Sequence, residues 1–328
     1  MVGAYHITVS NRFLKYEFTI RRNITVVKGN SATGKTTLIE LIREYNEQED
    51  SGITIQSGKP CVVLYGRSWK EQLERLSGCI VFIDEGGRFT KSEEFSRAIK
   101  GTDNYYVIVS REKLGNLPFS VEEIYGIRES GKYNSLKAEY TVNEFYHIYG
   151  NNPKEQFKPE IVITEDTNSG FEFWHSVCKG SDITCEASGG KSAVLRKLQE
   201  FQEGGKNKLA IVDGAAFGSE MEALMQYIRY FDKQIKLYAP ESFEYLVLRS
   251  SLFPSKEIQK RLDETYQYAD SKEYFSWERY YTKLLSEETR DTEKRYQKAH
   301  LNEYYLSEKN QALLLEYVPK NMKLMETT

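Results

Sequence analysis

With 328 residues, 40% apolar and 28% charged, the chain is long enough for two domains that each bury a core. Its 45 basic and 48 acidic side chains leave a net charge of −3, which excludes a global electrostatic pull toward nucleic acid or membrane. No apolar run approaches the roughly 18 residues that span a bilayer, and cysteines without C-x-x-C spacing point to a reduced, cytoplasmic protein without a zinc site.

Tyr5 to Val9 and Leu14 to Ile20 alternate as two strands, with Asn11 and Arg12 turning the chain between them. Ile24 to Val27 is an apolar, β-branched run that reads as a buried strand. It leads into Gly29-Asn30-Ser31-Ala32-Thr33-Gly34-Lys35-Thr36-Thr37, the pattern G-x-x-x-x-G-K-T. Leu38, Ile39, Leu41 and Ile42 follow at helical spacing. A strand, a glycine-bounded loop and a helix form a P-loop, in which backbone N–H groups converge on phosphates. The helix dipole adds positive potential. Lys35 is expected on the β- and γ-phosphates of ATP, and Thr36 on Mg²⁺.

Short strands are expected at Ile53 to Gln56 and Cys61 to Tyr65, and helices at Trp69 to Leu76 and Glu93 to Ile99. Cys79 to Ile83 is an apolar strand ending in Asp84-Glu85. After a P-loop, this pattern predicts that Asp84 holds Mg²⁺ through water and Glu85 polarises the attacking water. Tyr105 to Val109 is a further buried strand. Ser110 and Arg111 at its end are candidates for sensing the γ-phosphate, or a simple strand end.

Residues 1 to 150 form the expected ATPase domain. Two antiparallel strands leading into a P-loop resemble the heads of ABC-type and SMC-type ATPases. The resemblance stops short of the Leu-Ser-Gly-Gly-Gln signature, because Leu76-Ser77-Gly78 runs straight into the second-motif strand. Asn151-Asn152-Pro153-Lys154 and Pro159 then mark a linker.

From Ile161 the pattern alternates. Strands are expected at Ile161 to Thr164, Asp182 to Glu186, Leu209 to Val212 and Ile235 to Tyr238. Helices are expected at Gly170 to Cys178, Ala193 to Phe201 and Glu220 to Tyr230. Such alternation predicts a parallel sheet whose site lies at the strands' carboxyl ends. Glu165, Asp213 and Glu241 fall there. Ser188-Gly189-Gly190-Lys191-Ser192 reads as a turn opening a helix, since Cys185 stands where a second P-loop needs glycine.

Residues 160 to 250 in this order resemble the toprim domain of topoisomerases, primases and OLD-family nucleases. The resemblance implies that Glu165 and Asp213 are catalytic acids that bind Mg²⁺ for phosphodiester chemistry. The second acid of the usual pair is replaced by Ala215, with Glu220 or Glu222 as candidate substitutes. Residues 251 to 328 read as a helical C-terminal extension, with helices at Glu257 to Tyr268, Glu273 to Leu285 and Thr292 to Tyr305. Tyr266, Phe275, Trp277, Tyr280 and Tyr281, near Lys272, Arg279 and Lys283, suit packing more than base stacking.

The expected fold class is therefore α/β: a P-loop NTPase domain, a toprim-like domain and a helical extension. The whole layout resembles OLD-family nucleases, several of which act against phage. It implies an ATPase that controls a Mg²⁺-dependent nuclease, with DNA or RNA as substrate and a second copy or partner protein. The alternative is a nucleotide-dependent regulator whose toprim-like domain has lost catalysis.

Overall fold

The computed structural model describes residues 1–29, 34–130, 141–149, 156–201 and 204–324. The linker residues Asn151 to Lys154 and the loop residues Asn30 to Thr33 lie outside them. The chain is mixed α/β and divides into two units: Met1–Tyr149 with Thr265–Ser276, and Gly150–Glu264 with Trp277–Thr328. The stretch 251–328 is thus not a body of its own. Most of it belongs to the second unit, and twelve residues return to the first.

The first unit is built on one mixed sheet. Its strands are β1 (Tyr5–Ser10), β2 (Leu14–Ile20), β3 (Ile24–Val27), β4 (Thr54–Gln56), β5 (Cys61–Val63), β6 (Ile80–Ile83), β7 (Tyr105–Val109), β8 (Ile124–Glu129) and β9 (Thr141–His147). Their order is β4-β1-β2-β9-β8-β3-β7-β6-β5. β3, β6 and β7 are parallel and buried along their whole length, as strands covered on both faces must be. β8 and β9 were not expected. Gly126, Arg128 and Glu129 weaken β8 as a local pattern, and its pairing with β3 and β9 defines it instead.

Helix α1 (Lys35–Glu47) follows β3. Its Leu38, Ile39 and Ile42 are fully buried in the core with Val9, Ile20 and Val107. Each such side chain contributes about 1.5–3 kcal/mol on burial. That anchors a helix whose N-terminus has no side-chain cap. Helices α2 (Trp69–Leu73) and α3 (Glu93–Ile99) meet through Trp69, Phe89 and Phe95, with Trp69 stacked on Phe89 at 5.1 Å. The returning segment is tied by Asn23 Nδ2 to the Phe275 carbonyl at 2.9 Å, just ahead of β3, and by the Met1 ammonium on Asp270 at 2.8 Å.

The second unit holds a parallel sheet ordered β11-β10-β12-β13, from β10 (Ile161–Thr164), β11 (Thr184–Ala187), β12 (Lys208–Ile211) and β13 (Ile235–Tyr238). Helices α4 (Ser169–Cys178), α5 (Val194–Glu200) and α6 (Met221–Tyr230) connect them. They are followed by α7 (Phe243–Arg249), α8 (Lys256–Asp263), α9 (Trp277–Thr289) and α10 (Glu308–Leu315). The turn at Gly189-Gly190 opens a helical turn at Lys191–Ala193, as its composition predicts.

The helix expected over Thr292 to Tyr305 is absent, and only Glu303–Leu306 forms a 3₁₀ turn. Asn302 takes the Glu293 and Arg295 carbonyls with its side chain, offering them partners that a helix would supply from its backbone. Phe275, Tyr280 and Tyr281 are buried, so these three rings pack rather than offer a face to bases. All four cysteines are free thiols. Among the described residues no helix is long and apolar enough to cross a membrane.

Candidate functional sites

The first site lies where β3, β7 and β6 end. Val27 lies opposite Val109, and Ile108 opposite Ile83, so the three strands finish at one edge. Gly29 and Gly34 both have positive φ, 135° and 81°. At Gly34 the need is also steric. A Cβ there would lie 2.7 Å from the Tyr16 hydroxyl, which itself donates to the Gly34 carbonyl at 2.9 Å.

Lys35 opens α1 and is only 4% exposed. Its Nζ donates to the Gly29 carbonyl at 2.9 Å, closing the turn on itself. Burial lowers the ammonium from its ordinary pKa; Glu85 works against this and Arg111 adds to it. The first turn of α1 carries no acidic side chain, so nothing there opposes an anion at the positive end of the helix. Thr36 is exposed and Thr37 half-buried. Asn30, Ser31, Ala32 and Thr33 lie outside the described residues.

Asp84 and Glu85 follow β6 directly. Asp84 Oδ1 accepts the Glu85 N–H at 2.8 Å, and Glu85 Oε1 accepts Arg111 Nε at 2.8 Å. Lys35, Asp84, Glu85 and Arg111 therefore share one edge. Their donor set suits a magnesium nucleotide: a buried ammonium and a guanidinium for phosphate, a hydroxyl and a carboxylate for the cation.

The second site lies at the carboxyl ends of β10 and β12. Register puts Thr164 opposite Ile211, and the Glu165 N–H continues the ladder to the Ile211 carbonyl at 2.9 Å. Glu165 Oε2 in turn accepts the backbone N–H of Asp213 at 3.0 Å, which ties the ends of the two strands together. Gly190 N–H and Ser188 Oγ hold the Glu165 carbonyl at 2.7 and 3.0 Å. Asp166 is spent differently: its carboxylate accepts the Gly170 and Phe171 N–H groups and caps α4.

Three residues that the sequence reading passed over join this edge. Glu244 stands on α7, behind the Ser242 N-cap. Its Oε1 accepts Tyr296 OH at 2.8 Å and Thr282 Oγ1 at 3.0 Å. Glu278, in the first turn of α9, accepts Lys298 Nζ at 2.6 Å, and the same ammonium lies 3.5 Å from Glu244. Glu244 is buried and its Oε2 has no hydrogen-bond partner. The signal for the two acids was their place at a helix start, Ser242-Phe243-Glu244 and Trp277-Glu278; Lys298 had none. The largest charges acting on Asp213 are Glu278, Glu165 and Glu244.

Crowded acids hold their protons. Burial first, then Glu278 and Asp166, push Glu165 from 4.5 to about 7, although the Asp213 N–H opposes it. Burial, Glu278, Glu165 and Glu244 push Asp213 well above its ordinary value. Burial lowers Lys298, but Glu244 and Glu278 more than offset that and raise it overall. A cavity of about 20 Å³, lined by Glu165, Asp166, Trp174, Asp213 and Phe243, has room for one water-sized sphere.

Excess negative charge and an orphaned carboxylate oxygen suit a divalent cation. Among the described residues no three His, Cys, Asp or Glu side chains converge in ligand geometry. A cation here would take the carboxylates of Glu165 and Asp213 and fill its other positions with water. Ala215, two residues after Asp213, is 3% exposed, and its N–H donates to the Glu241 carbonyl at 3.0 Å.

A pH dependence follows. A carboxyl whose pKa is raised on folding binds more protons folded than unfolded. Its contribution is full below 4.5 and is lost as pH climbs through about 7. Mg²⁺ needs the deprotonated pair, so its stabilisation should grow with pH. Melting curves at pH 5.5 and pH 8 should show a larger Mg²⁺-induced shift at the higher pH. Equal shifts would contradict a cation held by these two acids.

No protein-family model matches this chain, and a comparison with curated proteins returns no match.

Proposed function

We propose that the first unit is a P-loop domain that binds ATP with Mg²⁺ and hydrolyses it. The observation that carries this reading is the single edge shared by Gly29, Gly34, Lys35, Asp84, Glu85 and Arg111. Bound Mg²⁺ would neutralise phosphate charge and polarise the terminal phosphoryl group. Lys35 would bind phosphate oxygens, releasing the Gly29 carbonyl. Thr36 and Asp84 would hold the cation, and Glu85 would accept a proton from water. The amides of Gly29 to Thr37 would line the phosphates.

The second unit we read as toprim-like, with a cation site at Glu165 and Asp213 directed at the phosphodiester of DNA or RNA. The layout then resembles an OLD-family nuclease under ATP control, which suggests phage defence. Glu278 and Lys298 would set the charge of that site.

A second reading has its own support. Ala215 is buried where another acid is usual, and the Lys298 ammonium already partners the acids. Both favour a nucleotide-dependent regulator without catalysis.

Plasmid and single-stranded RNA, incubated with Mg²⁺ or Mn²⁺ and with or without ATP, separate the two readings. The nuclease reading expects metal-dependent cleavage that ATP changes and Asp213→Asn abolishes. No cleavage, or cleavage equal in Asp213→Asn, would leave the regulatory reading.

A further inference from the structure

Tyr16 lies in β2, paired with Val9 of β1 on one side and Asn143 of β9 on the other. Its side chain is fully buried in the core that also holds Leu38, Leu41 and Ile42 of α1. Strand and core fix the ring, and the ring delivers one hydroxyl to the start of α1. That hydroxyl donates to the Gly34 carbonyl at 2.9 Å, and the Thr37 side chain hydrogen-bonds the same phenol. Burial raises the phenol from its ordinary pKa by more than Thr37 lowers it, so the proton stays in place for donation.

The Gly34 carbonyl has two donors, since it also accepts the Leu38 N–H at 3.0 Å, the first hydrogen bond of α1. A trans peptide points its C=O and N–H in opposite directions. With the carbonyl held by Tyr16 and Leu38, the Lys35 N–H points out of the start of the helix, among the N–H groups that a helix leaves unpaired. Gly34 takes φ 81° and ψ 6°, and α1 has no side-chain cap to fix that turn. Glycine alone does not hold it, because it populates other regions as readily.

We infer that Tyr16 is a positioning residue of the phosphate loop, whose hydroxyl sets the Gly34–Lys35 peptide so that the Lys35 N–H meets a bound phosphate. The inference rests on the nucleotide reading of this site. Tyr16 itself touches no nucleotide. The phenol holds the cradle in its binding shape before the anion arrives, so less ordering is left to be done on binding.

Tyr16→Phe removes only the hydroxyl and keeps the ring in the core. It should weaken a non-hydrolysable ATP analogue with Mg²⁺ about 3- to 10-fold, the scale of one neutral hydrogen bond. Inorganic tripolyphosphate with Mg²⁺ should weaken by the same factor, because phosphates alone meet the Lys35 N–H. In turnover, KM for ATP should rise by that factor while kcat stays within about twofold, as when ground and transition states lose the same contact.

The experiment is calorimetry of both ligands on wild type and Tyr16→Phe, with ATP turnover and melting curves. A hydroxyl that served only the fold would shrink the folded fraction, lowering the calorimetric stoichiometry and kcat with Kd and KM unchanged. That result would overturn the inference, as would a Tyr16→Phe protein that does not fold. A loss for the analogue without one for tripolyphosphate would also overturn it, by moving the effect to the nucleoside. If wild type binds neither ligand, the nucleotide reading itself fails and takes this inference with it. If wild type binds both and Tyr16→Phe binds them equally well, only the inference fails.

Discussion

Glu85→Gln is expected to leave ATP binding intact and to slow turnover by about two orders of magnitude or more, the usual scale for losing a general base. The side chain is 30% exposed and follows β6 by two residues, so the substitution disturbs no core. Glutamine keeps the shape and still offers an oxygen to Arg111 Nε. It cannot take up a proton from water. The effect should therefore fall on kcat, while the dissociation constant measured by calorimetry does not weaken. Phosphate release at saturating ATP reads the first quantity. Turnover equal to wild type would mean that another group activates the water.

Lys35→Ala should have an effect of comparable size on affinity. The wild-type ammonium is buried and held on the Gly29 carbonyl at 2.9 Å. Alanine removes the charge-assisted contacts to phosphate, a loss of about 100-fold or more in ATP affinity if two such contacts are made. It also leaves the Gly29 carbonyl without this donor. Helix α1 should survive, because Leu38, Ile39 and Ile42 remain buried. Circular dichroism and the melting temperature separate lost binding from lost folding. Equal ATP affinity in a folded Lys35→Ala protein would remove the phosphate clamp from the account.

Where the chain's local pattern and its tertiary fate agree, the sequence was readable. Ile24–Val27, Tyr105–Val109 and Ile161–Thr164 are β-branched or aromatic runs, Ile235–Tyr238 begins and ends on such residues, and each forms a strand over the expected residues. β8 and β9 escaped because their stability comes from partners distant in sequence. The Thr292 to Tyr305 segment misled because Tyr296, Leu301 and Tyr305 bury without helical backbone. Aromatic spacing alone did not distinguish the two cases.

The sites divide along the same line. Lys35 stood out because strand, loop and helix are contiguous in sequence, and Asp84 and Glu85 because two acids directly follow the apolar run of β6. Glu165 and Asp213 were legible because parallel strands place their following residues on one edge. Glu244, Glu278 and Lys298 were not, since α7, α9 and the segment after it reach that edge only by packing. Ala215 was the visible departure from the pattern that the resemblance implies, and its side chain is buried.

The central claim is that Gly29 to Thr37 cradle the phosphates of ATP. A crystal structure grown with Mg²⁺ and a non-hydrolysable ATP analogue tests it most directly. The account predicts the triphosphate at the start of α1, with Lys35 Nζ moved from the Gly29 carbonyl to phosphate oxygens and the cation beside Thr36 and Asp84. Analogue bound elsewhere, or Lys35 still on Gly29 at saturating analogue, would contradict it.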